Sequence, residues 1–255
     1  MKKKYYIFTA IASYFLLLIA TIPAKPVTRL INDNTAITIQ GTSGTLWSGK
    51  AYTASIDKKT QLKNIEWSFN LWKLLIGQIA TDIKTQYLGN SINTELGLSF
   101  LGRYFVNNLT AKISAKDVAE LANIPLAQLS GLISLNIDHA QWKQGELPLA
   151  SGQINWKNAT VTVTDTASLG NVLITLDESE DQLLNADIKN QGGDIKISGT
   201  AELVPEADYV VNIKISPTAS TGSNIKQSLG LFAKKQPNGD YLFKESGPLS
   251  QIGLM

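Results

Sequence analysis

Residues 44–51 read Gly-Thr-Leu-Trp-Ser-Gly-Lys-Ala, GTLWSGKA, and the stretch admits two incompatible structures. Gly44, Gly49 and Lys50 stand where a phosphate-binding loop, G-x-x-x-x-G-K-[ST], needs them, but Ala51 stands where the metal-binding hydroxyl belongs. Such a loop also needs a helix after it, whose amino terminus supplies part of the field that holds the phosphates. Here Tyr52, Ala54 and Ile56 alternate with Thr53 and Ser55, the period of a strand, and Ile37 and Ile39 alternate in the same way upstream. A strand on each side makes GTLWSGKA a hairpin whose glycines serve as turn and bulge positions. That excludes the phosphate site.

The same period of two runs outward from this hairpin. Ile65, Trp67 and Phe69 form one row, Ile92 to Phe100 the longest, and Leu109 to Ile113 and Ile133 to Ile137 two more. Ile154 with Trp156 and Val161 with Val163 read as a pair of strands. Leu184 to Ile188 lead through the turn signal NQGGD, with Gly192 and Gly193, into Ile195 and Ile197. Tyr209 to Ile215 is ended by Pro217, and Tyr241 with Phe243 closes the series. Apolar residues on one face and polar residues on the other predict antiparallel sheet with one buried face. The small-Gly pairs Ser130-Gly131, Ser151-Gly152 and Ser198-Gly199 are expected to open strands, at spacings too irregular for a solenoid. Helices are few. Asn70 to Gly77 reads as one short turn stopped by Gly77, and Ser114 to Asp117 as a cap for a helix ending near Ile124, before Pro125. Ser223 to Ala233 is the third. No stretch reads as a linker, so residues 28–255 are expected to form one β-rich unit.

The amino terminus differs from everything after it. Lys2, Lys3 and Lys4 precede Tyr5 to Ala24, which carries no charge and matches the ~20 apolar residues of a transmembrane helix. Residues 5–24 are therefore predicted to be an anchor, with residues 1–4 as a basic cytoplasmic end under the positive-inside rule. A cleaved signal peptide fits less well, because its apolar core is shorter and Ile22-Pro23-Ala24 places a bulky residue where a small one is preferred. Lys25-Pro26 reads as an exit segment, and the rest of the chain is expected outside the cytoplasm, where a nucleotide-binding loop would find little ligand.

Composition narrows the chemistry. The 255 residues carry a net charge of +2 at pH 7, too small and dispersed for a nucleic-acid surface, and contain no Cys and one His. Disulfides, thiolate metal sites and Cys nucleophiles are excluded, and His139 has no Ser in a G-x-S-x-G elbow to serve. It reads as an ordinary turn or edge residue. Asp177, Glu178, Glu180 and Asp181 lack the spacing of a Ca²⁺ loop and read as a solvated hairpin tip. Asp57, Glu66 and Asp82 are scattered on outward strand positions. No catalytic, metal or cofactor site is predicted. The five tryptophans are the informative residues. Trp67 and Trp156 share faces with apolar neighbours and are expected in the core, whereas Trp47 and Trp72 are candidate contact residues.

QGTSGTLWSGKA followed by IEWSFNLWKLLIGQI resembles the type II secretion system protein N family. Gly44, Thr45, Trp47, Ser48 and Gly49 match its first element, and Trp67, Trp72 and Gly77 fall in the second. Gly152, Trp156, Asn158 and Ala159 match a later G-x-x-x-W-x-N-A step, and Gly193 lies in its closing strands. The resemblance implies an accessory inner-membrane component, single-pass with most of the chain periplasmic. It would bind other type II secretion components, without catalysis, to support export of folded proteins across the outer membrane. An envelope lipid-binding or lipid-transfer module with an apolar β-groove is the alternative. The fold expected on either reading is mainly β: an amino-terminal transmembrane helix, then a predominantly antiparallel, curved sheet with two or three short helices.

Overall fold

Alternating apolar and polar side chains satisfy one buried face per strand, and short turns between strands leave antiparallel pairing as the natural arrangement. The computed structural model describes residues 2–56, 60–122, 127–163, 165–179, 183–204 and 208–249, with backbone alone for residues 2–4. Asp57, Ile124, Pro125, Glu180 and Asp181 lie outside the described residues. The chain divides into two compact units, Met1–Gly97 and Leu98–Met255.

The first unit begins with helices α1 (Lys2–Ala20) and α2 (Ala24–Asn34). Then come strands β1 (Thr38–Gln40), β2 (Ser43–Gly44), β3 (Ser48–Ser55) and β4 (Gln61–Phe69), a 3₁₀ turn over Leu71–Ile76, and strands β5 (Gln78–Tyr87) and β6 (Asn90–Ser99). The strand order is β1-β3-β4-β5-β6, with β2 also pairing β3. The strand expected after GTLWSGKA is β3. On it Ala51 and Thr53 are buried and Tyr52 is exposed, the reverse of the face its alternation suggests. The buried face of the unit is built of small and polar residues, with Ala80, Thr85 and Glu95 from β5 and β6.

Two expectations for this unit are corrected. The apolar run does not form one helix over residues 5–24: α1 stops at Ala20, where the Thr21 hydroxyl donates to the Leu17 carbonyl at 2.7 Å, and Pro23 is extended at φ −70°. Three of the 19 residues of α1 are lysines, so the apolar part falls short of the ~20 residues a span needs. Among the described residues no helix is long and apolar enough to cross a membrane. Nor is Lys25-Pro26 an exit segment. Pro26 lies in the first turn of α2, where its missing N–H has no intrahelical acceptor to lose.

The second unit holds β7 (Tyr104–Ser114), α3 (Ala115–Leu121), β8 (Gln128–Trp142), β9 (Leu149–Thr162), β10 (Thr166–Glu178) and β11 (Leu184–Gln191). It continues with β12 (Ile195–Val204), β13 (Asp208–Pro217), α4 (Ser223–Phe232), β14 (Lys234–Lys235) and β15 (Tyr241–Pro248). The order is a meander, β7 through β13 in sequence, then β15 and β14. Ser114 caps α3 as expected, its hydroxyl accepting from the Asp117 N–H at 3.1 Å. The core gathers Ala159, Ala167, Leu169, Val172 and Ile195, with Trp156, Ile215, Ile225 and Leu229 packed against them.

Strand lengths depart from the sequence reading where bulges change the phase. Ile154–Trp156 and Val161–Val163 belong mostly to one strand, β9, and β10 was not anticipated. In β10 the buried residues are Ala167 and Leu169 and then Val172, because the register shifts at Gly170. One inserted residue moves every later side chain to the other face and breaks the alternation. The pairs Ser130-Gly131, Ser151-Gly152 and Ser198-Gly199 lie inside β8, β9 and β12 instead of opening strands. His139 is inside β8, between β7 and β9, and not at a turn or edge, and its Nδ1 lies 2.6 Å from the Asn107 Oδ1 on β7.

Candidate functional site

The hairpin at residues 43–50 is stitched by its own sequence. Gly44 pairs with Gly49, and the Thr45 N–H donates to the Ser48 carbonyl at 2.9 Å. The Thr45 hydroxyl oxygen in turn accepts from the Ser48 N–H at 3.1 Å. Gly49 faces Trp67 in the β3–β4 register, and a Cβ there would stand 2.4 Å from the indole Cζ2 and 2.6 Å from the Ser43 carbonyl oxygen. Only glycine lets the ring approach the strand this closely. The Trp67 Nε1–H then donates to the Leu46 carbonyl at 3.0 Å.

What this hairpin holds is the end of α1. A helix leaves its last carbonyls without intrahelical partners. The Trp47 Nε1–H donates to the Ile19 carbonyl at 2.7 Å, the Leu46 N–H donates to the Ile22 carbonyl at 2.8 Å, and Pro23 bridges Thr45. The Trp47 ring, half-buried, meets Phe69 edge-on at 5.7 Å, and the Phe69 N–H donates to the Trp47 carbonyl at 2.7 Å. Thr45, Trp47, Gly49 and Trp67 thus form one joint between the amino-terminal helix and the sheet. Trp47→Phe removes one hydrogen bond from it, expected to cost about 1 kcal/mol. Faster hydrogen exchange at the Leu46 and Phe69 amides, with the rest of the unit unchanged, is the expected result.

Beside the joint is a polar recess of about 380 Å³ that includes Ser48, Lys50, Glu66, Asp82 and Lys84. Glu66 and Asp82 are exposed, as expected of outward strand positions. Lys50 is engaged with Glu66 at 2.6 Å. Its hydrogen bond to Lys50, then the attraction of Lys50 and of Lys84, hold the Glu66 carboxyl below its ordinary range. A depressed folded pKa means that the pairing is fully present above the unfolded value and is lost as pH falls through the folded one. Lys50→Ala is expected to raise the Glu66 titration midpoint, read by carboxyl ¹³C NMR, without unfolding the unit.

Trp72 and Gly77 belong to the neighbouring 3₁₀ turn. Gly77 closes it in the left-handed region at φ 75°, and the Trp72 side chain is 80% exposed. The other signature residues belong to the second unit. Gly152 is buried at a β8–β9 bulge, and the half-buried Trp156 donates its Nε1–H to the Ser130 carbonyl at 2.9 Å. Gly193 lies in the turn that docks on β10, where the Asp194 N–H donates to the Ser168 carbonyl at 2.7 Å. Trp142, exposed, stacks on Tyr104 across the register at 5.8 Å.

Two features had no signal in the reading of the sequence. The Asn32 side chain, on α2, donates to the Ile39 carbonyl at 3.0 Å and accepts from the Ile39 N–H at 2.7 Å, so it covers the middle of edge strand β1. Under α4 the sheet leaves a cavity of about 240 Å³, with Leu169, Ile195, Ile215, Ile225, Leu229 and Phe232 among its walls and Asp165 and Ser228 as its polar residues. An Ile225, Leu229, Phe232 spacing does suggest an apolar helix face, but not the space beneath it. Among the described residues no cluster of three or more His, Asp or Glu is arranged to hold a metal ion.

Comparison with known proteins adds three findings. A family model described as "Type II secretion system (T2SS), protein N" matches residues 35–244. A type II secretion system protein N of Aeromonas hydrophila is 24% identical over 246 residues, covering 93% of this chain and 95% of the relative. One of Vibrio cholerae is 24% identical over 221 residues, covering 83% and 84%. No solved structure matches.

Proposed function

Because the chain belongs to the type II secretion system protein N family, we propose that it is an accessory component of that system in the cell envelope. It binds other secretion components, without catalysis or cofactor, and so supports export of folded proteins from the periplasm across the outer membrane. The observation that carries this reading is the family match, which spans residues in both units. In this reading α1 attaches the chain to the inner membrane through its apolar surface, and residues 28–255 are periplasmic. The exposure of Phe8, Phe15, Leu16 and Leu17 along α1 supports attachment, since soluble surfaces rarely leave such a patch uncovered.

Partner contact by strand pairing has one favoured place. β1 is covered by Asn32, whereas among the described residues the outer side of β15 carries only the two residues of β14. An open edge is a template for a partner strand. The test is deletion of the gene with restoration on a plasmid, following one exported protein. Accumulation in the periplasm, relieved by complementation, is expected, and unchanged export would overturn the reading. A proline at whichever of Lys244 and Glu245 directs its N–H outward should fail to complement if the edge is used.

The cavity under α4 supports a second reading, lipid binding. An apolar cavity of about 150 Å³ already admits a benzene-sized ligand, and this one is larger. It would take part of one hydrocarbon chain, not a whole lipid. Organic extraction of the purified chain followed by mass spectrometry should then recover lipid, and a clean extract would dismiss the idea.

A further inference from the structure

The 3₁₀ turn Leu71-Trp72-Lys73-Leu74-Leu75-Ile76 leaves most of its apolar surface in solvent. Trp72 is 80%, Leu75 78% and Ile76 68% exposed, and Leu71 and Leu74 are exposed as well. Each large apolar side chain left in water forgoes roughly 1.5–3 kcal/mol of burial, so the outer face is uncovered at real cost. The one charged residue of the turn does not face out with them. Lys73 forms an ion pair with Glu95 on β6, and the two side chains are 24% and 9% exposed. Ordinary surface design would turn a lysine outward to protect an apolar tip. Here it is turned inward, and the outer face carries no charge.

The turn is also held in shape. The Asn70 N–H donates to the Ala80 carbonyl at 2.9 Å, the Lys73 N–H to the Asn70 carbonyl at 3.1 Å and the Gly77 N–H to the Leu74 carbonyl at 3.1 Å. It begins two residues after Phe69, whose ring meets Trp47, and Trp47 is bonded to the carboxyl end of α1 at Ile19. The turn therefore starts two residues beyond the contact that ties the end of the exposed apolar helix to the sheet, within one unit.

We propose that the outer face of the Leu71–Ile76 turn inserts into the interfacial layer of a phospholipid bilayer beside the carboxyl end of α1, as a second membrane contact. The inference rests on the attachment of α1 to the membrane proposed above. A Trp with flanking Leu and Ile, free of outward charge, is the chemistry favoured at the boundary between headgroups and acyl chains. The tie to the end of α1, whose apolar side chains are exposed along its length, selects a bilayer over a protein groove. Two points of contact fix the orientation of the first unit to the membrane plane, which one helix leaves free to rotate.

The chain has no Cys, so Leu75→Cys introduces a single thiol at a position 78% exposed. Gln61→Cys, exposed at the opposite end of β4, is the control. The full chain carrying an environment-sensitive label is reconstituted into phosphatidylethanolamine and phosphatidylglycerol vesicles and floated. The label at residue 75 is expected to be quenched several-fold more by nitroxide-bearing lipid than the label at 61, and to be shielded from a water-soluble quencher. If chains that float with the vesicles show the same quenching at both positions, α1 attaches but the turn does not insert, and the inference fails alone. Chains that do not float overturn the attachment and this inference together. Shielding of residue 75 only when another secretion component is added would assign the turn to a protein partner and overturn the bilayer.

Discussion

Gly152→Ala is expected to destabilise the second unit by roughly 3–5 kcal/mol, the sum of a strained backbone and an overpacked site. Gly152 is buried with φ at +144°, a region that L side chains rarely enter. An added Cβ would stand 2.4 Å from the Asn136 carbonyl oxygen and 2.7 Å from the Ile137 Cα. Both neighbours are backbone of β8, on the other side of a bulge, and cannot step aside without breaking its pairing with β9. Gly145→Ala separates the two causes. Gly145 also has a positive φ, +80°, but open space around it, so its substitution should cost about 1 kcal/mol. Urea titration followed by tryptophan fluorescence checks both. Equal midpoints for the two variants would show that the close approach at Gly152 has little weight.

Asn190→Ala is expected to cost about 3 kcal/mol, counting roughly 1 kcal/mol net for each of three hydrogen bonds. Its Nδ2 donates to the Leu169 carbonyl at 2.7 Å on β10 and to the Ile195 carbonyl at 2.7 Å on β12, and its Oδ1 accepts from the Ile197 N–H at 2.6 Å. One side chain on β11 thus ties the strands on either side of it, at the place where the Gly170 bulge interrupts the ladder. The bonds matter because Ile195 and Leu169 are core residues, so water does not readily replace the lost partner. Asn190→Asp tests the donor role directly. An ionised carboxylate keeps the bond from Ile197 but faces two carbonyl oxygens. The Asp variant should be less stable than the Ala variant at neutral pH and recover in part on acidification, when the carboxyl regains a proton to donate. Stability of the Asp variant independent of pH would argue against the assigned geometry.

The residues through which this chain resembles its family act mostly on structure. Gly49 clears space for Trp67, Thr45 and Trp47 close the joint with α1, Gly152 sits in a bulge and Gly193 lies in a turn seated on β10. Trp72, by contrast, leaves its side chain largely in solvent. The expectation that Trp67 and Trp156 lie in the core holds in part: both are half-buried, and each satisfies its indole N–H with a backbone carbonyl.

What the sequence determined by itself was the class of structure and the family. Alternation on either side of GTLWSGKA, at Ile65 to Phe69 and at Tyr209 to Ile215 required strands, and Gly77, Ser114 and Pro217 marked element ends correctly, because each signal is local and depends on a few neighbouring dihedrals. The tertiary structure decided the rest. α2 went unread because its Pro26 looked like a breaker, and its role is to bring Asn32 against Ile39. β10 went unread because a bulge at Gly170 reverses its alternation. The inward turn of Lys73 toward Glu95, 22 residues away, and the tie from Trp47 to Ile19, 28 residues away, have no trace in local pattern. They arise only once pairing of distant strands has set which side chains meet, and that is a property of register, not of composition or period.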